Sequence, residues 1–297
     1  MMRHAFNLLV LDQHQLKRIK KMGVQTAINP TTDFTAIKAK QNAAWGSGDY
    51  SKVGVTLQIT GEELAEAMDI MPSAKVLDVA AGNGNATLAF ARRFCDVTST
   101  DYVEALLHAS SQRAKAEGLF VNYKVADAEK LPFAEQSFDA VVSTFGVMFT
   151  PNQKQSAAEL QRVVKSGGKI GMANWTPESF IGQLFKTIGK HVPPPAGVNS
   201  PAVWGNRDWV QDTFGDNCDV VSFRHKNFMF RYRSAEHFLE YFRTFYGPMQ
   251  KAFQALDGAG QAALRDDIMA LIAKFDISTN ASLCISSEYA EIIVERL

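Results

Sequence analysis

The chain has 297 residues, 46% of them hydrophobic, and its 31 Lys and Arg residues balance 31 Asp and Glu residues. This length and composition suffice to bury the core of one large domain, with or without a lid. The formal net charge of zero disfavours strong nonspecific nucleic-acid binding, because no overall positive field attracts a polyanion. The chain has three widely separated cysteines, Cys95, Cys218 and Cys284. Their number and spacing predict a reducing compartment, taken as the cytoplasm, and argue against a disulfide framework or a cysteine-based zinc site.

The first 31 residues are predicted to form a mobile extension ahead of one domain that spans residues 32–297. This extension contains an apolar run at residues 6–11 and a basic run at residues 17–21. The apolar run is too short to span a bilayer, and the charge follows it, unlike in a secretory signal. We therefore expect no stable membrane insertion, with a membrane-surface helix as the alternative.

Two elements are predicted before the first strand. Residues 38–45 lead into a turn-rich segment at residues 46–50, and the flanking Trp45 and Tyr50 can pack against the core. The run Thr60-Gly61-Glu62-Glu63 matches a capping box, which predicts a helix that begins there and ends near Pro72.

Residues 76–90 are predicted to form a buried strand, a glycine loop and a helix, with the helix at residues 86–93. Gly82 and Gly84 have no Cβ, so a ligand can approach the main chain, and the new helix presents unpaired N–H groups. A dinucleotide fingerprint would need glycine or alanine where Thr87 stands. The sequence therefore fits a nicotinamide-dependent oxidoreductase poorly, and this function remains only as a weaker alternative.

The loop resembles the D-x-G-x-G-x-G loop of class I S-adenosylmethionine-dependent methyltransferases, matched by Asp78, Ala80, Gly82 and Gly84. The resemblance implies that these residues, together with Asn83, bind the cofactor. Alanine replaces the first glycine of the pattern. We expect Ala80 to keep a negative φ and to leave less room beside the amino-acid end of the cofactor.

A second strand at residues 95–101 ends in Asp101, which lies 23 positions after Asp78. Nucleotide-binding folds place an acid on the ribose hydroxyls at about this spacing. The sequence after Asp101 is also a plausible helix cap, and both roles can hold. We predict that Asp101 and the adjacent Tyr102 contact the cofactor.

The third strand, residues 120–125, leads into the most specific segment of the chain. Residues 127–133 and 137–142 are similar to the D-A-x-x-L-P-F…S-F-D-x-V segment of methyltransferases related to the ubiquinone and menaquinone C-methyltransferases. By that resemblance, Asp127 accepts the adenine amino group and the Ala128 amide meets a ring nitrogen. The alternative is that Asp127 is an ordinary turn residue.

The fourth strand is predicted to begin at Asp139 and to end at the carboxyl edge of the sheet, where open α/β sheets bind ligands. Ser143 and Thr144 are therefore candidate cofactor contacts, and Phe145 and Phe149 are candidate walls near the transferred methyl group. The N/D-P-P-Y/F motif of methyltransferases that modify adenine or glutamine is absent from the sequence, which argues against those substrates.

A helix at residues 152–164, ended by a Gly-Gly turn at residues 167–168, and a fifth strand at residues 169–175 complete the cofactor-binding half, residues 60–175. Residues 176–280 are predicted to form a substrate-binding cap, and residues 283–296 a terminal strand. The predicted cap elements are helices at 180–190, 207–214, 234–246, 249–256 and 260–275 and extended segments at 218–225 and 227–233.

The sequence thus predicts an α/β fold with a doubly wound, mostly parallel seven-stranded sheet, the Rossmann-like methyltransferase fold, and a helical cap. The resemblance implies S-adenosylmethionine as cofactor, S-adenosylhomocysteine as product, and a lid formed by the cap helices and by the region of Trp45 and Tyr50. We expect the acceptor to be an oxygen, nitrogen or carbon of a small, planar or aromatic metabolite. A non-catalytic S-adenosylmethionine-binding module is the alternative.

Aromatic side chains are the candidate substrate contacts, namely Trp45, Phe145, Phe149, Tyr241 and Tyr246. Methyl transfer from a sulfonium mainly needs positioning and exclusion of water, so a general base is optional. His191, His237 and Tyr241 are the candidates if one is used. The sequence has no H-E-x-x-H or comparable spacing, so we predict no metal. The oligomeric state is left open.

Overall fold

A computed structural model of the chain describes residues 33–297. In this part of the chain, seven strands form one sheet in the order β3-β2-β1-β4-β5-β7-β6. The strands are β1 (Lys75–Val79), β2 (Asp96–Asp101), β3 (Asn122–Val125), β4 (Phe138–Thr144), β5 (Val164–Trp175), β6 (Cys218–Tyr232) and β7 (Leu283–Arg296). The first five run parallel, and β7 is antiparallel to both β5 and β6. The predicted doubly wound, mostly parallel sheet is confirmed.

The helices connect the strands and build the cap. They are α1 (Phe34–Trp45), α2 (Tyr50–Gly54), α3 (Gln58–Met68), α4 (Asn85–Arg92), α5 (Glu104–Ala116), α6 (Gln153–Val163), α7 (Phe180–His191), α8 (Arg207–Phe214), α9 (Ala235–Phe245), α10 (Gly247–Gln254) and α11 (Gly258–Phe275). None of the helices within residues 33–297 has the length and apolar composition needed to cross a membrane. The predictions for residues 1–31 lie outside the described residues.

The core lies on both faces of the sheet, because successive side chains of a strand point to opposite sides. Leu77 and Val79 of β1 belong to the larger apolar cluster, whereas Val76 belongs to the smaller one on the other face. In β4, Val141 joins the larger cluster and Val142 the smaller one. A central strand buried on both faces explains the continuous apolar pattern from which it was predicted.

The capping-box prediction was wrong. Helix α3 begins at Gln58, so Thr60 lies inside it, and the Thr60 hydroxyl donates a hydrogen bond of 2.7 Å to the Leu57 carbonyl. The helix ends at Met68 because Asp69 adopts a left-handed conformation with φ 48°. An added Cβ on Gly61 would lie 2.7 Å from the Asn85 carbonyl oxygen, so the predicted capping segment packs against the start of α4 as part of the helix.

Two strand boundaries also differ from the prediction. Strand β5 begins at Val164, directly after α6, and Gly167, with φ +72°, lies inside the strand, where the pairing with β4 shifts register. The predicted Gly-Gly turn is therefore an irregularity within β5. Residues 218–232 form one continuous strand and not two segments, because β7 pairs with them along their whole length.

None of the residues of helix α1 is buried. The α1 region contacts the cap at two close main-chain approaches. A Cβ on Gly247, the first residue of α10, would lie 1.9 Å from the Ala44 carbonyl oxygen. A Cβ on Gly48 would lie 2.4 Å from the Phe245 carbonyl oxygen. Glycine at these two positions therefore lets the α1 region rest directly on the cap main chain.

Candidate active site

The loop between β1 and α4 turns through three residues with positive φ. Ala80 has φ 52°, Gly82 φ +58° and Gly84 φ +86°. The expectation of a negative φ at Ala80 was wrong. A left-handed conformation strains a non-glycine residue by about 1–3 kcal/mol and persists only where surrounding contacts enforce it. Here the Ala81 N–H donates to the Thr100 carbonyl at 2.9 Å, which ties the loop to β2.

Asp78 lies behind this loop, completely buried. Its Oδ2 accepts hydrogen bonds from the Thr87 N–H at 2.8 Å and from the Thr87 hydroxyl at 2.6 Å. Burial raises the pKa of Asp78 to about 7, although the bonds from Thr87 oppose the shift. The side chain therefore holds the first turn of α4 against the end of β1.

Asp101 lies at the end of β2 and is 5% exposed. Its Oδ2 accepts a hydrogen bond from the Gly82 N–H at 2.9 Å, and its Oδ1 accepts one from the Val103 N–H at 2.9 Å. Burial raises its pKa to about 6, although these main-chain bonds oppose the shift. The carboxylate thus joins the glycine loop to the start of α5.

Asp127 follows β3 and faces helix α1. Its Oδ2 lies 2.5 Å from the Nζ of Lys38, and its Oδ1 accepts from the Glu129 N–H at 2.9 Å. The same ammonium group lies 3.0 Å from the Glu129 carboxylate, which is 5% exposed. Lys38 therefore fastens α1 to the segment that follows β3.

These elements line a cavity at the carboxyl edge of the sheet, called the first cavity here, whose volume of ≈ 610 Å³ includes space open to solvent. The residues that line it come from α1, the glycine loop and the ends of β2, β3 and β4. They are Lys38, Gln41, Trp45, Tyr50, Ala80, Gly82, Asp101, Tyr102, Leu106, Ala126, Asp127, Ala128, Phe145, Gly146, Phe149, Thr150 and Pro151. The predicted cofactor residues Ala80, Gly82, Asp101, Tyr102, Asp127 and Ala128 are brought together there.

Five other predicted cofactor residues, Asp78, Asn83, Gly84, Ser143 and Thr144, do not line this cavity. The Ser143 hydroxyl, fully buried, donates to the Val79 carbonyl at 2.7 Å and accepts from the Val147 N–H at 2.9 Å. A Cβ on Gly84 would lie 2.0 Å from the Ser110 hydroxyl oxygen, so this glycine permits close packing of the loop on α5. These residues support the cavity from behind instead of facing it.

A second cavity of ≈ 390 Å³ adjoins the first. Apolar and aromatic side chains from the helices and from the ends of β5 and β6 line it. They are Trp45, Tyr50, Val53, Leu57, Phe145, Phe149, Trp175, Ile181, Leu184, Phe185, Phe230, Phe242 and Tyr246. None of these described lining residues carries a carboxylate, an imidazole or an ammonium group.

Four aromatic residues, Trp45, Tyr50, Phe145 and Phe149, line both cavities. The Trp45 ring centroid lies 5.4 Å from that of Tyr50 and 4.9 Å from that of Phe149, both edge-on. Phe145 has φ 50° and stacks on Trp175 at 4.1 Å. A second strained main-chain position thus lies at the junction, which is typical of a functional site.

None of the three candidate bases lines either cavity. His191 Nε2 is 3.0 Å from Asp267 Oδ2, and His237 Nδ1 accepts from the Arg233 N–H at 3.3 Å. The Tyr241 hydroxyl donates to the Lys52 carbonyl at 2.9 Å. Each therefore makes a local structural contact, and Tyr241 does not line the second cavity, where it was expected as a substrate contact.

Several lining residues were missed by the sequence analysis. Lys38, Gln41, Leu106, Gly146, Thr150 and Pro151 line the first cavity, and the cap residues Ile181, Leu184, Phe185, Phe230 and Phe242 line the second. No motif marks them, since they reach the site through the packing of separate elements. In residues 33–297, no group of three or more His, Cys, Asp or Glu side chains could hold a metal ion.

The sheet order and the two cavities at its carboxyl edge define a Rossmann-like α/β protein that binds small molecules at its strand ends. A family model described as a methyltransferase domain matches residues 77–172, which hold the glycine loop, Asp101 and Asp127. The chain belongs to the class I S-adenosylmethionine-dependent methyltransferases, in the group similar to the ubiquinone and menaquinone C-methyltransferases. It is an enzyme that uses S-adenosylmethionine, and the nicotinamide alternative is thereby set aside.

The chain is similar to proteins of several bacteria. An uncharacterised protein of Mycobacterium tuberculosis (strain H37Rv) is 38% identical over 234 residues, covering 78% of this chain and 85% of that protein. The ubiquinone/menaquinone biosynthesis C-methyltransferase of Bordetella avium is 39% identical over 105 residues, covering 34% of this chain and 41% of that enzyme. A crystal structure of a Bacillus halodurans protein shares the fold, with a TM-score of 0.56, 18% identity, and coverage of 79% of this chain and 97% of that one.

Proposed function

We propose that this enzyme methylates a small, uncharged, planar or aromatic molecule that binds in the second cavity. The single observation that supports this substrate class most strongly is the lining of that cavity, which is apolar or aromatic throughout. An apolar lining disfavours charged acceptors, because a charge removed from water without a partner costs several kcal/mol. Aromatic walls suit flat rings, which they can contact edge-on or face-on.

The residues of the first cavity fit the cofactor. Gly82 has no Cβ, so the cofactor can approach its main chain, and Asp101 provides a buried carboxylate that can accept hydrogen bonds from the ribose hydroxyls. At the adenine edge, the Asp127 carboxylate can accept a hydrogen bond and the Ala128 N–H can donate one. The sulfonium would face the shared aromatic residues, whose ring faces attract a cation. When bound, S-adenosylmethionine supplies an electrophilic methyl group, which the acceptor's lone pair takes while the carbon–sulfur bonding pair remains on sulfur.

The chain's own residues then act mainly by positioning and by excluding water. Trp45, Phe145 and Phe149 line both cavities, and the stacking of Phe145 on Trp175 fixes the position of the Phe145 ring. Because the described lining of the second cavity has no carboxylate or imidazole, the acceptor must present its own lone pair. This favours a nucleophile that is neutral and already unprotonated.

A blocked second cavity should abolish turnover without affecting the cofactor. Leu184 is 1% exposed and lines that cavity, so Leu184→Trp should fill space that the acceptor needs. Wild type and variant are screened with S-adenosylmethionine against phenols, quinones and nitrogen heterocycles, with S-adenosylhomocysteine release as readout. We expect turnover of at least one aromatic acceptor, a loss of at least tenfold in the variant, and unchanged S-adenosylhomocysteine affinity by calorimetry.

Lys186→Trp is the matched control, since this side chain on the same helix is 54% exposed and lines neither cavity. It should behave as wild type. Full activity of Leu184→Trp, or activity on charged acceptors alone, would refute the proposed substrate class.

Replacing Asp127 should weaken cofactor binding. In Asp127→Ala, Lys38 keeps its ion pair with Glu129 at 3.0 Å, so helix α1 stays attached. The adenine amino group would lose a charged acceptor, which is worth about 1.5–3 kcal/mol, so we expect at least tenfold weaker S-adenosylhomocysteine binding. Titration of the inosine analogue, which lacks that amino group, provides the control: its affinity should change little. Equal losses for both ligands would remove the adenine assignment.

A further inference from the structure

Two tyrosines that pack against Trp45, namely Tyr50 and Tyr246, have hydroxyls without a protein partner within residues 33–297. Tyr246 is 7% exposed and lines the second cavity, and Tyr50 lines both. Their ring centroids are 6.4 Å apart, and each ring packs edge-on against Trp45 at 5.4 Å. Within residues 33–297, neither hydroxyl makes a hydrogen bond, and neither belongs to the buried side-chain atoms sealed from solvent.

Of the other five tyrosines in residues 33–297, three make a hydroxyl hydrogen bond; of the remaining two, the Tyr232 hydroxyl is sealed from solvent and Tyr102 lines only the first cavity. The Tyr289 hydroxyl donates to Glu63 at 2.6 Å, and the Tyr123 hydroxyl pairs with the Ser110 hydroxyl at 3.1 Å. The hydroxyl of a buried tyrosine usually finds such a partner, because an unsatisfied polar group costs about 1–3 kcal/mol. Since the Tyr246 hydroxyl keeps accessible surface on an otherwise buried residue, a bound molecule can reach it.

Both hydroxyls remain protonated and can therefore donate. Burial raises the pKa of Tyr246, and the nearby Tyr50 raises it further. Burial likewise raises the pKa of Tyr50, with an added contribution from the charge of Asp101. Elsewhere the second cavity offers a bound molecule mainly apolar contacts, so these two donors can determine which edge of the molecule faces the cofactor.

We propose that the hydroxyls of Tyr50 and Tyr246 select acceptors that carry an oxygen or nitrogen lone pair on the ring edge facing the first cavity. The acceptor class is then hydroxy-, keto- or aza-aromatic, and plain hydrocarbons of the same shape are poor ligands. This inference rests on the proposed function, because it assumes that the acceptor occupies the second cavity. The two tyrosines orient the acceptor, and the reacting lone pair belongs to the acceptor itself.

The test uses isosteric probes that differ in one atom. Naphthalene, quinoline and isoquinoline are titrated into the full-length protein saturated with S-adenosylhomocysteine, at mildly alkaline pH where the heterocycles are uncharged. One net hydrogen bond is worth about 1 kcal/mol, so wild type should bind one of the heterocycles about five- to tenfold more tightly than naphthalene. Tyr246→Phe or Tyr50→Phe should bring that ratio close to one and leave naphthalene binding unchanged.

Tyr241→Phe is the matched control, because its hydroxyl is already bonded to the Lys52 carbonyl and lines neither cavity. It should keep the wild-type ratio. Equal binding of all three probes by wild type, or a ratio that survives both tyrosine substitutions, would overturn the proposal while leaving the aromatic cavity in place. No binding of any probe would instead contradict the proposed substrate class.

Discussion

Asp101→Ala is expected to weaken S-adenosylhomocysteine binding by about tenfold to a hundredfold, since hydrogen bonds to a charged group are worth about 1.5–3 kcal/mol. The substitution also removes the acceptors of the Gly82 and Val103 N–H groups, both bonded at 2.9 Å. A loss of affinity alone therefore cannot separate ribose binding from support of the loop. The 2′- and 3′-deoxy analogues of S-adenosylhomocysteine provide that separation.

Wild type should bind each deoxy analogue more weakly than the parent ligand, whereas Asp101→Ala should bind all three equally. Calorimetry at constant pH measures the ratios. If the variant still discriminates between parent and deoxy ligands, Asp101 does not bind the ribose and serves only the loop and the start of α5.

The pH dependence gives an independent signature of the same residue. Burial raises the pKa of Asp101 to about 6, and a protonated carboxyl group accepts ribose hydroxyls less well. About one pH unit below that pKa, only about a tenth of the group is ionised, so affinity should be roughly tenfold lower than at neutral pH. Asp101→Asn should flatten this profile.

Folding responds to the same group with the opposite sign. An unfolded aspartate titrates near 3.9, so between that value and about 6 the folded state binds more protons than the unfolded state. The stabilising contribution is present below the unfolded pKa and is lost as the pH rises through the folded pKa. The ligand-free protein should therefore lose this contribution over the range in which cofactor affinity rises.

Gly146→Ala is the second substitution with a large expected effect. A Cβ at this position would lie 2.2 Å from the Ala80 carbonyl oxygen and 2.9 Å from the Ala80 Cβ. Gly146 has φ −111°, which alanine can adopt, so the cost is purely steric. Main-chain atoms cannot move away as a flexible side chain could, so the end of β4 and the glycine loop must separate.

We expect a loss of about 1–3 kcal/mol in unfolding free energy and at least tenfold weaker S-adenosylhomocysteine binding. Thermal melting with and without the ligand measures both effects. Gly258→Ala is the matched control, since no atom lies within 4 Å of the added Cβ, and its effect should stay within about 0.5 kcal/mol. If Gly146→Ala melts at the wild-type temperature and binds S-adenosylhomocysteine with wild-type affinity, the prediction is wrong and the loop tolerates the displacement.

Local sequence patterns predicted the cofactor-binding half well. An apolar run followed by glycines predicted β1, the loop and α4, the spacing after Asp78 predicted Asp101 as a cofactor contact, and the family resemblance predicted Asp127. These inferences succeed because parallel strands all present their carboxyl ends at the same edge, so linear order alone brings these residues close together. Boundaries failed where packing overrode local preference, as at Thr60 and Gly167.

The sequence by itself therefore determined the fold class, the glycine loop between β1 and α4 and the methyltransferase family. Only the tertiary structure decided the shape and lining of the second cavity, the ion pair of Lys38 with Asp127 across 89 positions, and the left-handed conformation of Ala80. The physical reason is that these features arise from contacts between elements far apart in the chain. The type of a residue and its local spacing do not specify which distant main-chain or aromatic surface its side chain will contact. The packing of the folded chain specifies that contact.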